Sequence, residues 1–170
     1  MLEMYRCSSC GYPHVGPAPE TCPVCGAPQS AFITYKGPRD LSGTKTLENL
    51  KAAFAGESQT NRRYTLFKRV AELEDAPQSA IDAFARVSAE ETAHALGHLA
   101  YMGGVGTTAA NLKAAAEGEK YECTEMYPSF AETAEAEGLG DIAVYFRRVG
   151  EHENEHRAEY VKALEELEQQ

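Results

Sequence analysis

The sequence predicts a mainly α protein, a four-helix bundle preceded by a small cysteine-bearing module. Three observations predict it. A CxxC-x11-CxxC array opens the chain, and long segments with apolar residues three and four apart fill the rest. The second half also repeats the first at an offset of 62 residues.

The totals narrow the classes. The chain has 170 residues, 43% hydrophobic and 25% charged, with five cysteines and a formal net charge of −10. That charge argues against a nucleic-acid partner or an anionic membrane surface. No apolar run approaches the roughly 20 residues of a membrane span. MLEMYRC lacks the basic-then-apolar layout of a signal peptide, so a cytoplasmic location is expected. In a reducing cytoplasm, cysteines read as metal ligands or thiols before disulfides.

Residues 1–36 form the first predicted domain, rich in Gly, Pro and Cys and without helical period. Cys7-Ser-Ser-Cys10-Gly and Cys22-Pro-Val-Cys25-Gly each present two thiolates to one metal, which makes a tetrathiolate site the strong reading. Spacing alone leaves iron and structural zinc both open. GPRDLSGT (37–44) carries turn formers, and residues 37–45 are assigned as a linker. The bundle occupies 46–170. Its helices are expected at about Thr46–Asp75, Gln78–Met102, Ala109–Glu137 with a kink at Pro128, and Gly140–Glu168. Short connections between such long helices favour an up-and-down antiparallel bundle.

The repeat is specific. NLKAAFAGE (49–57) and NLKAAAEGE (111–119) share seven of nine residues, and FARV (84–87) falls on FRRV (146–149). Glu91 falls on Glu153 and His94 on His156. The two halves are therefore expected to be related by a pseudo-two-fold axis.

Each helix has one seam of 3,4 spacing that is apolar except near its middle. There the first helix carries Glu57, the second Glu91 and His94, the third Glu119, and the fourth Glu153 and His156. Glu122 lies one turn beyond Glu119. No Lys or Arg shares these seams, so burying the carboxylates as bare charge would cost many kcal/mol. Cations must neutralise them, and carboxylate mixed with imidazole suits iron or manganese. One Glu from each of two helices plus Glu-x-x-His from the other two is the pattern of di-iron and di-manganese carboxylate bundles. HENEH (152–156) also matches the HExxH pattern of zinc proteases. His152 falls opposite Glu90, outside the repeat, and a protease would leave Glu57, Glu91 and Glu119 without a role. His98, one turn past His94, reads as a hydrogen-bonded core histidine, His14 as exposed, and Cys123 as a small core residue.

Over nearly its whole length the chain resembles the rubrerythrins. The matches are YRCSSCGYPHVGPAPETCPVCGAP (5–28), GESQTNRRY (56–64), EETAH (90–94), GEKYECTEMYPSFAETAEAEG (118–138) and ENEH (153–156). The cysteine module comes first here, as in the reverse rubrerythrins. The resemblance implies a ferritin-like di-iron bundle after a rubredoxin-like module. It implies a cytoplasmic peroxidase of oxidative-stress defence, reducing hydrogen peroxide to water, with dioxygen open as a further oxidant. Electrons would pass through mononuclear iron held by Cys7, Cys10, Cys22 and Cys25, supplied by an NAD(P)H-dependent reductase or a rubredoxin-type donor. Carried over by position, Glu91 and Glu153 would bridge a non-haem oxo/carboxylate-bridged di-iron pair. Glu57 would be terminal on one iron, Glu119 and His156 on the other, and the first iron would exchange His94 for Glu122. Tyr64 and Tyr127 match tyrosines that hydrogen-bond near the carboxylates. A homodimer or larger homo-oligomer is expected. The rival from a different class is ferritin-like iron oxidation and storage, with a purely structural zinc or iron in the cysteine site. It shares every bundle ligand. A zinc-ribbon DNA-binding regulator would need a basic face, which residues 1–40 lack.

Overall fold

The structure is a computed structural model that describes residues 3–35 and 40–169. Gly37, Pro38 and Arg39 of the expected linker lie outside the described residues. The chain divides into two units, Met1–Val105 and Gly106–Gln170.

The first unit begins with three short antiparallel strands, β1 (Met4–Cys7), β2 (Pro13–Val15) and β3 (Phe32–Thr34), in the order β2-β1-β3. Tyr5 pairs with His14 on one side and Thr34 on the other. Gly11 and Gly26, at φ 80° and 73°, close the two CxxCG loops, where a residue with a Cβ would be strained. In each loop the glycine N–H donates to the carbonyl of the first cysteine, at 2.9 Å. The core is Cys7, Cys22 and Phe32, flanked by Tyr5, Tyr12 and Val24. So small an apolar cluster does not hold a domain by itself, and a bound metal is the usual staple.

Helix α1 (Lys45–Leu73) starts where Thr44 Oγ1 accepts from the Leu47 N–H at 3.2 Å. It ends at Glu74, and Asp75 turns the chain at φ 50° before Ala76-Pro77. Helix α2 (Gln78–Tyr101) packs back on α1 as a hairpin. At their contact Asn61, 6% exposed, places Nδ2 2.7 Å from the Ser88 carbonyl and 2.7 Å from Thr92 Oγ1.

In the second unit α3 (Thr108–Tyr121) runs into a π-helical turn (Glu122–Met126) and then α4 (Tyr127–Ala136). Helix α5 (Gly140–Glu168) folds back along all three. The expected kink at Pro128 is replaced by this π turn. Pro128 lies in the first turn of α4, where its missing N–H costs little. Gly138, at φ 78°, makes the turn into α5. Among the described residues no helix is long and apolar enough to cross a membrane.

Candidate metal centres

In the module the sulfurs of Cys7, Cys10, Cys22 and Cys25 lie within 4.8 Å of one another. Cys7 and Cys25 are 3.7 Å apart, as are Cys10 and Cys22. A disulfide would need about 2.05 Å. Four sulfurs around one tetrahedral metal, at metal–sulfur bonds of about 2.3 Å, stand about 3.8 Å apart. Charge makes the same point. Burial raises the Cys10 thiol well above its ordinary value, while the Ala27 backbone N–H lowers Cys25 to about 7. Four thiols this close do not all ionise unless a cation sits among them.

In the first unit, ligand atoms of Glu57, Glu91 and His94 come within 4.8 Å of one another. Glu57 is mid-α1, and Glu91 and His94 share a face of α2 one turn apart. A hydrogen bond with the Glu91 carboxyl, then burial, raises the Glu57 pKa. His94 Nδ1 lies 3.1 Å from Glu91 Oε2.

The second unit repeats this with Glu119, Glu153 and His156, again within 4.8 Å. Burial, then the Glu153 charge, raises Glu119, and the hydrogen bond from His156 Nδ1 to Glu153 Oε2, 2.7 Å, raises His156. Glu122 is outside this group of three, yet its charge helps raise both Glu119 and Tyr127. Each triad crowds two carboxylates that must share a proton, an arrangement a divalent cation relieves by replacing the proton. The donor set fits iron.

An aromatic trio closes each hairpin beside its triad. Tyr64, Phe67 and Phe84 have ring centroids 5.8–6.2 Å apart. Tyr127, Phe130 and Phe146 have theirs 5.6–6.3 Å apart. From Glu57 to Tyr64 is seven residues, and from Glu119 to Tyr127 is eight. The π turn absorbs the extra one, so both tyrosines reach the same place. The sequence signal was the shift of repeat offset from 62 to 63, which strict helical spacing passed over.

The chain matches the family model described as rubrerythrin, rubredoxin-like domain over residues 5–33. It matches the rubrerythrin model over 48–107 and 102–164. A rubrerythrin of Porphyromonas gingivalis is 40% identical over 143 residues, 76% of this chain and 71% of that protein. Rubrerythrin-1 of Clostridium acetobutylicum is 38% identical, over 77% of this chain and 75% of that one. Reverse rubrerythrin-1 of the same organism is 32% identical, over 72% and 75%. The chain belongs to the rubrerythrin family. Rubrerythrins are oxidoreductases, and the four-cysteine site and the carboxylate–histidine groups match those of the family's rubredoxin-like and di-iron centres. The rubredoxin-like segment precedes the ferritin-like one.

Within the first unit the module lies against α2. A Cβ added at Gly97 would stand 3.3 Å from the Gly11 carbonyl oxygen, and one at Gly11 would stand 3.8 Å from His94 Cδ2. The Tyr35 hydroxyl donates to the Ala100 carbonyl at 2.5 Å, and its ring meets Tyr101 edge-on at 5.0 Å. Neither Gly97 nor Tyr35 stood out in the sequence. A glycine inside a helical pattern was the available signal, because it weakens the helix and implies a close approach. His98 is half-buried, and burial lowers its pKa. His14 packs between Tyr12 and Phe32 in the module. His152 is exposed and belongs to no ligand group among the described residues. Cys123 lies 4.0 Å from Asn154 Oδ1, at the repeat position of Asn61.

Proposed function

We propose that this protein reduces hydrogen peroxide to water, H2O2 + 2 e⁻ + 2 H⁺ → 2 H2O, with electrons entering through the four-cysteine site. The supporting observation is the contact of the Cys10-Gly11 loop with His94, which sets a one-electron thiolate centre beside a ligand of the carboxylate site. An iron-storage protein has no use for that contact.

Bound iron at the six triad residues would supply two electrons together and polarise the peroxide oxygens. The chain's own residues set the conditions. Glu91 and Glu153, each paired with the histidine one turn on, are the bridging carboxylates of the proposal, and Glu57 and Glu119 the terminal ones, with His156 beside Glu119. Glu122 would offer the metal a further carboxylate beside Glu119. Tyr64 and Tyr127 hold phenol protons at the edge of the triads and, with their phenylalanine partners, restrict water. An NAD(P)H-dependent reductase or rubredoxin-type donor recharges the module.

The test is anaerobic. Iron-loaded protein is reduced until the tetrathiolate absorption bleaches, and two equivalents of peroxide per chain are added, because ferrous iron at the three ligand groups holds three electrons and each peroxide takes two. The band should return within mixing time, and a band that stays bleached refutes the reading. Gly97→Val, which crowds the Gly11 carbonyl, should slow that return about tenfold or more with metal content unchanged.

A further inference from the structure

Glycine weakens a helix interior, because it loses more backbone freedom on folding than any residue with a side chain. Gly150 lies in the interior of α5, and its φ is negative, so no unusual backbone conformation calls for it. The space around it does. A Cβ added at Gly150 would stand 3.1 Å from Tyr127 Cβ and 3.8 Å from Tyr127 Cγ. The first distance is inside the ordinary carbon–carbon contact of about 3.5–4.0 Å, so Tyr127 would have to give way. Among the described residues, and apart from its own stretch of α5 backbone, nothing else comes within 4 Å of that point. Gly118, in α3, would meet nothing within 4 Å.

The remaining surroundings of Gly150 are open. A cavity of about 700 Å³, walled by the π turn, α4 and α5, has Gly150 and Tyr127 in its lining with Cys123 and Asn154. A side chain at this position is therefore opposed by one residue only. The contact falls at the root of that residue, not at its mobile end.

Tyr127 directly follows the π turn, and its ring centroid is 6.2 Å from that of Phe146 on α5. Burial raises its pKa, and so do the charges of Glu122, Glu153 and Glu119, which places the phenol beside the second triad. In the first hairpin no residue is inserted before Tyr64. The position matching Gly150 there is Ser88, whose Oγ accepts from Asn61 Nδ2 at 3.0 Å. The inserted residue and the missing side chain occur in the same hairpin.

We infer that Gly150 is a positioning residue for the reaction: by carrying no side chain it lets the first turn of α4 close on α5 at Tyr127, and so sets how deeply the phenol stands against Glu119, Glu122 and Glu153. This rests on the reading that Tyr127 holds a proton at the carboxylate site. The contact itself does not depend on the oxidant.

Three variants of the iron-loaded protein test it: Gly150→Ala, Tyr127→Phe and the two together, with Gly118→Ala as the control glycine. Relief of the glycine cost alone raises the melting temperature by about 2–4 °C in a chain of this length, and Gly118→Ala should show that rise. Gly150→Ala should show no rise, or a fall. It should also lower kcat for peroxide about three- to tenfold, with KM, dinuclear iron and the tetrathiolate absorption held. In the Tyr127→Phe background it should lower kcat no further, because two residues that act through one contact are not additive. A Gly150→Ala protein that melts as high as Gly118→Ala, with kcat intact, overturns the proposal. So does a kcat loss that adds in full to that of Tyr127→Phe, since Gly150 then acts elsewhere. A Tyr127→Phe variant with wild-type turnover also overturns the role in the reaction. The melting comparison uses no peroxide, so it separates failure of this contact from failure of the peroxide reading.

Discussion

The α1–α2 hairpin and the α3–α5 hairpin are two versions of one arrangement, and their differences are local. Both hold a glutamate facing a Glu-x-x-His pair, and both close beside it with a Tyr–Phe–Phe trio of nearly equal spacing. The first hairpin bridges its helices with Asn61, Ser88 and Thr92 and carries the cysteine module on α2. In the second, the same positions are Cys123, Gly150 and Asn154, and a π turn brings in Glu122. The arrangement tolerates divergence outside the ligands and their aromatic neighbours. One copy carries the cysteine module, the other an additional carboxylate.

The sharpest way to break the equivalence is to remove a ligand from either side. Glu91→Ala and Glu153→Ala should each abolish dinuclear metal binding and lower peroxide turnover by more than the 10–100-fold typical of losing an outer partner. Metal analysis with kinetics checks this. If one variant keeps full metal and activity, the two halves do not contribute alike. Glu122→Ala addresses a residue with no counterpart, since Thr60 holds that place in the first half. A roughly 10–100-fold loss of turnover, with the tetrathiolate absorption intact, is expected. Unchanged turnover would remove Glu122 from the mechanism.

Asn61→Ala should destabilise the protein by about 1–3 kcal/mol, because it strands the buried carbonyl and hydroxyl of Ser88. Cys123→Ala, which loses only weak thiol contacts to the Lys120 carbonyl at 3.4 Å and Asn154 Oδ1 at 4.0 Å, should cost less than about 1 kcal/mol, and denaturant melts compare the two. The smallest effect is in pH. Glu57, Glu119 and His156 all have raised pKa values in the folded protein, so without metal these three groups bind more protons in the folded chain than in the unfolded one, opposite in sign to Asp40, Glu72 and His98. That stability is complete below the ordinary carboxylate and imidazole ranges and is lost as pH rises through the raised values. The melting temperature under chelation should therefore fall more with rising pH there than it does in a Glu57→Gln, Glu119→Gln variant. With metal, which needs the deprotonated ligands, the trend should flatten or reverse. A chelated protein whose melting temperature falls no more than that variant's over that window contradicts the shared-proton picture.

Much of this was legible before any fold was known. Helix ends came within two residues of their positions, since caps, Pro and Gly act locally. The Cys, Glu and His groups were legible because their spacing is a property of one helix or one loop. The π turn was not, because the seam was read with an unbroken helical period through Cys123 and Met126.

By itself, then, the sequence determined which side chains gather: the tetrathiolate set from two CxxCG loops, and two carboxylate–histidine triads from a duplicated pattern. Repetition along the chain carries that information, because i, i+3 neighbours share a helix face wherever the helix lies. Only the tertiary structure decided that Gly97 admits Gly11 beside His94 and that Tyr127 keeps its place despite an added residue. Those are distances through space between residues far apart in the chain, and no spacing rule along one helix encodes them.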